Sequence, residues 1–299
     1  MRAALFAAFA TLCVAGPKDF GLSELNRAMA MRGMQLGVTI ELSTDPPETF
    51  HIEPYPAGGG VRIDGGDMRG LMYGLLEAAE QIRTAGKFAR AHGEPAMARR
   101  GVRVAMAAAD LGRFPDDWWR GYLQMLGLYR FNRFTLALDR APVEADFRKL
   151  RSLSQSANDF GLDFILGVPS SAGDLKALLD ACPMIRGIQV AGDSVALDAV
   201  YRSLREAGRL VTLDLRGSLR TPAELHNAEK ARMHLRLPAA IEVPLADTVA
   251  EVRRRLATLD SSAGFEIEAP TAADLELLRP LFGLWGRLGY DPKAKPLLQ

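Results

Sequence analysis

The sequence predicts an α/β protein: a small α+β N-terminal domain over residues 20–87, then a compact (β/α)8 barrel over residues 100–292, and three observations predict it. Beyond residue 100, eight short β-rich runs alternate with helical ones, the rhythm of a parallel sheet wrapped in helices. Before residue 87 the order is different, a helix, a few strands and a long amphipathic helix, as in a separate small layer. The basic, proline-containing stretch between them, residues 88–99, reads as a linker. With 48% hydrophobic and 24% charged residues among 299, the chain is globular and long enough to bury a large core. A net charge of +1, from 37 basic and 36 acidic residues, offers no field to hold a phosphate backbone and argues against nucleic acid as a partner.

Met1 and Arg2 precede an apolar run from Ala3 to Ala15 that is too short to span a bilayer and is followed by Gly16 and Pro17. This is the pattern of a secretory signal peptide over residues 1–15, with Cys13 and Ala15 as the small residues a cleavage site needs; a buried N-terminal helix is the alternative. Export would make the protein secreted or periplasmic and leave Cys182 as its one cysteine, without a disulfide.

Leu22, Leu25 and Met29 recur at helical spacing and predict a helix over 22–33. Residues 38–42 alternate as a short strand, which Pro46 and Pro47 stop. Residues 50–54 and 61–63 predict a hairpin around Gly58, Gly59 and Gly60, where glycine takes positive φ at no steric cost. A helix over 68–85 then gathers Leu71, Leu75, Ala78, Ala79 and Ile82 on one face and ends at Gly86.

In the second part, strands are expected over 102–107, 134–138, 164–168, 188–191, 210–215, 233–237, 241–245 and 265–268. Helices are expected over 116–129, 143–160, 174–181, 195–207, 222–231, 248–259 and 272–288. The sequence Thr221-Pro222-Ala223-Glu224 is a capping box with proline at the first helical position. Between the sixth and seventh strands, Pro238-Ala239-Ala240 leaves no room for the crossover that parallel pairing needs, so the barrel is expected to be irregular there. A seven-stranded or partly open barrel, or an open doubly wound sheet, is the alternative architecture.

Three stretches carry a resemblance. Residues 50–76, "FHIEPYPAGGGVRIDGGDMRGLMYGLL", are similar to the small N-terminal domain shared by β-hexosaminidases and α-glucuronidases, with the match on Arg69, Gly70, Tyr73 and Gly74. Residues 99–138, with Arg100-Gly101 and Arg130-Phe131-Asn132-Arg133, look like the opening of the TIM-barrel catalytic domain of those enzymes. Residues 281–292, "LFGLWGRLGYDP", resemble the last barrel helix and exit of the α-glucuronidase-like group. The resemblance implies a glycoside hydrolase acting on a glycan or oligosaccharide, with its site at the carboxyl ends of the barrel strands.

Glycosidic cleavage needs a proton donor for the leaving oxygen and a second group to trap or stabilise an oxocarbenium-like centre. In "GIQVAGDSV", Asp193 matches the acidic position after the fourth strand, while Ser194 stands where hexosaminidases carry their acid glutamate, which speaks against substrate-assisted catalysis. Asp193 is thus the expected proton donor, with Asp214 or Glu268 as its partner. Alternation puts Asp214 with Arg216, His234 with Arg236, and Glu266 with Glu268 on shared strand faces. Asp110 and Arg113 after the first strand, Asp139 after the second, Arg216 and His234 are expected sugar contacts, and Trp285 and Tyr290 expected walls of a subsite. Each has a structural alternative: helix capping for Asp193, a surface ion pair for Asp110 and Arg113, a turn for Asp139, packing for His234 and Trp285. The four histidines show no zinc spacing, and there is no phosphate loop or Gly-x-Ser-x-Gly elbow, so no metal or cofactor is expected.

Overall fold

The computed structural model describes residues 16–56, 59–169, 174–191, 200–205, 208, 211–216, 235–236, 241–243, 249–259, 261, 264–269 and 275–294. The apolar leader, Asp193, Ser194, His234 and the expected helix over 222–231 lie outside them. None of the described helices is long and apolar enough to cross a membrane.

The first unit is α1 (Pro17–Met31), β1 (Gly37–Leu42), β2 (Phe50–Pro54), β3 (Gly60–Gly65), α2 (Met68–Ala85) and β4 (Ala91–Gly93). Helix α1 begins five residues before the expected Leu22, because Pro17 presets the first helical φ and Asp19 favours the first turn. The sheet order is β1-β3-β2-β4. β2 and β3 form the antiparallel hairpin that their alternation predicts, and β1 runs parallel to β3. The Asp67 side chain accepts the Gly70 N–H at 2.6 Å to start α2, and Gly86 ends it in the left-handed conformation. Gly70 and Gly74 let α2 lie close on the sheet: a Cβ would come within 2.2 Å of the Thr49 oxygen and 2.7 Å of Ile63 Cγ2.

The expected linker is more than a linker. Ala91–Gly93 is a strand that pairs antiparallel with β2, too short to show any alternation. The chain beyond it is stitched down as well: Ala96 N–H donates to the Tyr290 oxygen at 2.8 Å, Met97 N–H to Gly289 at 3.0 Å and Ala98 N–H to Ser261 at 2.9 Å.

The second unit holds all eight expected strands: β5 (Arg100–Met106), β6 (Arg133–Leu138), β7 (Asp163–Val168), β8 (Ile185–Ala191), β9 (Thr212–Arg216), β10 (Leu235–Arg236), β11 (Ile241–Val243) and β12 (Phe265–Ala269). They form one sheet in the order β10-β9-β8-β7-β6-β5-β12-β11, with every pair parallel. The helices include α3 (Asp116–Leu128), α4 (Glu144–Asp159), α5 (Leu175–Ala181), α6 (Val249–Leu256) and α7 (Leu275–Tyr290), and residues 200–205 are helical as well. One face of the sheet is apolar and joins the core, through Val102, Val104, Phe134, Leu136, Phe164, Ile188, Leu213 and Ile267. The other carries Arg103, Arg133, Thr135, Gln189, Asp214 and Glu266, all buried.

That polar face is concave. Gln189 Nε2 donates to Glu266 Oε2 at 3.2 Å, although β8 and β12 are four strand intervals apart. On a flat sheet that separation would be about 19 Å. The sheet therefore curls around its polar side. The closed barrel that the rhythm predicts is not shown: among the described residues no pairing joins β10 to β11. These are the strands on either side of Pro238-Ala239-Ala240, where the irregularity is expected.

The two units meet at Glu48. Its carboxylate accepts from Arg69 Nη1 at 2.7 Å, Arg100 Nη2 at 2.5 Å and Asn132 Nδ2 at 2.9 Å. Its carbonyl oxygen accepts from the Tyr290 hydroxyl at 2.7 Å. Arg69 also reaches Asp163 at 2.9 Å, and Arg100 donates to the oxygens of Met97 and Arg130. The residues of the family-like motifs thus converge on one buried carboxylate. Burial alone would raise the Glu48 carboxyl, but the Arg100 and Arg69 guanidiniums hold it down at about 2. Burial, with the Glu48 charge beside it, pushes the Tyr73 hydroxyl up to about 12.

Removing one partner of a buried ion pair typically costs about 3–5 kcal/mol, and Glu48→Gln should cost that much in chemical denaturation. Because the folded carboxyl ionises near 2 and the free one near 4.5, its contribution is present above pH 4.5 and lost as pH falls to about 2. Wild-type stability should therefore fall more steeply than that of Glu48→Gln between those values. Parallel curves would assign the acid sensitivity to other groups.

Candidate active site

Gly101 and Glu266 show how the concave face is built. They are register partners on β5 and β12, and a Cβ at Gly101 would lie 3.3 Å from Glu266 Cγ. The glycine leaves room for the glutamate to turn inward. Glu266 Oε1 accepts from the Thr135 hydroxyl and from Arg133 Nε, the latter at 3.3 Å. Arg133 Nη2 donates to Asp214 Oδ2, closing an ion pair across three strand intervals. Burial would lower the Arg133 pKa, but the Asp214 and Glu266 carboxylates raise it, so the guanidinium stays charged.

Towards the carboxyl ends of the strands, Arg103 Nε donates to Gln189 Oε1 at 3.2 Å and Arg103 Nη1 to Glu268 Oε1 at 2.5 Å. Here the burial changes. The Glu268 side chain is 48% exposed while that of Arg103 is 8% exposed. Ala105, the next residue of β5 on the same face, is exposed too. The concave face is thus filled by ion pairs at depth and open at the carboxyl ends of β5 and β12. In open and closed α/β sheets alike, ligands bind at that end.

Of the three expected catalytic carboxylates, Glu268 stands at this opening. Asp214 does not: it is 3% exposed, held by Arg133, and its Oδ1 is buried without a hydrogen-bond partner. The curl of the sheet brings an arginine from β6 onto it. Asp193, two residues past the end of β8, lies outside the described residues, as does His234. Arg216 is placed by its backbone, in register with Ala191 at the end of β8.

Asp110, Arg113 and Asp139 follow the ends of β5 and β6. Asp110 lies in a 3-10 turn over Ala108–Gly112, and its carbonyl oxygen accepts the Arg113 N–H at 2.9 Å. The exposed Arg113 guanidinium lies 5.8 Å from the Phe114 ring centroid. Asp139 Oδ1 accepts the Ala108 N–H at 2.8 Å, which ties the end of β6 to the turn after β5. Trp285 and Tyr290 both face the interior. Trp285 is fully buried, its ring centroid 5.4 Å from that of Phe265. Tyr290 is also buried and donates to Glu48 at the amino-end border. Arg103 and Gln189 are not singled out by the sequence, and Arg133 stands out only as part of the motif before β6. The available signal was a charged residue alternating with valines beside Gly101 in "RGVRVAM".

No protein-family profile matches the chain, and no curated protein sequence matches it. Solved structures do. A GH138 enzyme targeting pectin rhamnogalacturonan II is similar at TM-score 0.74 and 12% identity, over 94% of this chain and 50% of that one. A family 20 glycoside hydrolase, a β-N-acetylglucosaminidase, is similar at TM-score 0.61 and 12% identity, over 91% of this chain and 86% of that one. CpGH84B gives TM-score 0.59 at 12% identity, over 91% and 66%. The chain thus has a glycoside hydrolase-like fold, and it spans half the length of the first of these structures.

Asp214→Asn tests how far that residue serves the buried network. Leaving Arg133 with one carboxylate fewer should cost about 3–5 kcal/mol in denaturant unfolding. A variant as stable as wild type would return Asp214 to the list of groups kept for chemistry.

Proposed function

We propose that the protein is a glycosidase that hydrolyses O-glycosyl bonds of a glycan at the carboxyl end of a (β/α)8 barrel, with β10 and β11 as its seam. The observation that carries this reading is the Arg103–Glu268 pair, a carboxylate on a buried cation at the one end of the concave face that is open among the described residues. The glycoside hydrolase-like fold supports it. In this scheme Asp193 gives its proton to the leaving glycosidic oxygen as the bond to the anomeric carbon breaks. Glu268 stabilises the oxocarbenium-like centre or directs water to it, and Arg103 holds Glu268 in position. Arg113 and Arg216 serve the sugar hydroxyls or a uronate carboxylate.

Within the family that the motifs resemble, Ser194 stands where hexosaminidases carry their acid glutamate, which speaks against substrate-assisted catalysis. The α-glucuronidase-like arrangement, with a single acid after the fourth strand, is the better fit. The apolar leader supports export to the periplasm or the medium.

Aryl-glycoside and uronoside turnover by wild type, Asp193→Asn and Glu268→Gln is the test. Each variant should lose about 10²–10⁴-fold in kcat, the usual yield of a positioned acid or base. Turnover equal to wild type in either variant removes that residue from the chemistry. One observation favours a second reading: Asp214 is consumed in the buried network, so Glu268 is the one expected catalytic carboxylate found at the opening among the described residues. A barrel that binds carbohydrate without cleaving it would show saturable oligosaccharide binding and no turnover across the panel.

A further inference from the structure

The chain has four histidines, and their spacing along the sequence marks no metal site. Strand register does what spacing does not. His51 on β2 and His92 on β4 are direct antiparallel partners, so their side chains leave the same face of the small sheet. This is the face turned away from the core, since the buried residues are Phe50 and Ile52 on β2 and Gly93 on β4. Solvent reaches both rings: the His51 side chain is 44% exposed, and His92 is exposed. Neither takes part in the site at the carboxyl ends of the strands or in the Glu48 junction.

The two ring centroids are 4.5 Å apart. That is the spacing of two imidazoles on a single ion. With a metal–nitrogen bond of about 2.0–2.1 Å and a nitrogen about 1.1 Å from its ring centre, ligands at about 90–110° put the centroids about 4.5–5.2 Å apart. The ring planes differ by 29°, so a turn about χ2 is needed to aim one nitrogen of each ring at a common point, and exposure leaves that turn open. The backbone needs no change, because β2 and β4 already hold the two residues in register. As a packing contact alone the pair gains little, since protonation of both rings would set like charges directly opposite each other.

A carboxylate stands behind the pair. Asp45 Oδ2 lies 3.3 Å from His51 Nε2, and the Ser43 hydroxyl donates to the same oxygen at 2.7 Å. A metal-binding imidazole usually gives its other N–H to such a carboxylate, which fixes the tautomer and leaves the far nitrogen for the ion. The surrounding charges also favour a cation. Register sets Asp64 beside His51 and Glu41 beside Asp64, a row of carboxylates leading to the imidazoles. The guanidiniums on this side are occupied, Arg62 by Glu53 and Asp64 and Arg90 by Glu53. Among the described residues no three such side chains form a closed cage, so the imidazoles supply the protein donors and water fills the remaining positions. Imidazole donors suit zinc, copper or nickel, whereas magnesium and calcium prefer oxygen.

We propose that His51 and His92 chelate one divalent transition-metal ion of the zinc and copper class on the outer face of the small sheet. β4 is the edge strand of that sheet and leads directly into the segment bonded to α7. The ion clips β4 to β2 at the point where the chain passes from one unit to the other.

Calorimetric titration of the full chain with zinc chloride tests this, with magnesium chloride as the control. Zinc should bind at one ion per chain with Kd below about 10 µM, and magnesium should not bind in that range. His51→Ala and His92→Ala, both at solvent-accessible positions, should each weaken zinc binding about tenfold or more. Thermal unfolding gives a second readout, a rise in Tm with zinc in wild type that either variant loses. With copper as the probe, electron paramagnetic resonance should show two coordinated imidazole nitrogens in wild type and one in either variant. Absence of zinc binding, equal zinc affinity in wild type and either variant, or magnesium binding as tight as zinc would overturn the proposal.

Discussion

One buried carboxylate sets the geometry of this molecule. Glu48 sits on the short chain between β1 and β2 and meets the first residue of β5, the residue before β6, α2 and the last residue of α7. A fully buried arginine such as Arg100 cannot exist without such a partner, since an uncompensated charge in the interior costs more than the rest of a local environment can return. Arg100 is also the residue that starts the eight-stranded sheet. The alignment of the parallel strands, and with it the location of their carboxyl ends, is thus anchored from the small unit rather than within the sheet.

From that anchor the sheet divides its two faces by chemistry. The face towards the helices is apolar and packs in the ordinary way. The concave face is cross-linked by charged and amide side chains that reach across several strands. Such a network contributes little net stability, because desolvation offsets most of the attraction. It does fix which side chains stand where, and only geometry that satisfies Arg133, Gln189 and Glu266 together is allowed. The result is a rigid floor beneath Glu268, on which a site can be held in register.

Much of this was legible in the sequence, and the reasons differ by element. The β2–β3 hairpin and α2 were readable because alternation, glycines and caps all agree locally. The eight strands were readable from rhythm, and among the described residues the pairing stops between β10 and β11, where the connection is too short for a crossover. β4 escaped because three residues carry no pattern. The site was read less well. Alternation says that Asp214 shares a face with its neighbours two residues away; it does not say that an arginine three strands over will meet it. Trp285 looked like a sugar platform because an aromatic residue near an exit motif does not reveal which face of its helix turns inward. In both cases the deciding contact is long-range, and a local pattern contains no trace of it.

The segment after β4 has a mechanical meaning. It is paired to the small sheet at Ala91–Gly93, then bonded in succession to the end of α7 and to Ser261 before β12. A chain fastened at every step cannot act as a hinge. The small unit and the sheet are therefore fastened to each other along the connecting chain, which leaves no slack for a swing of one on the other.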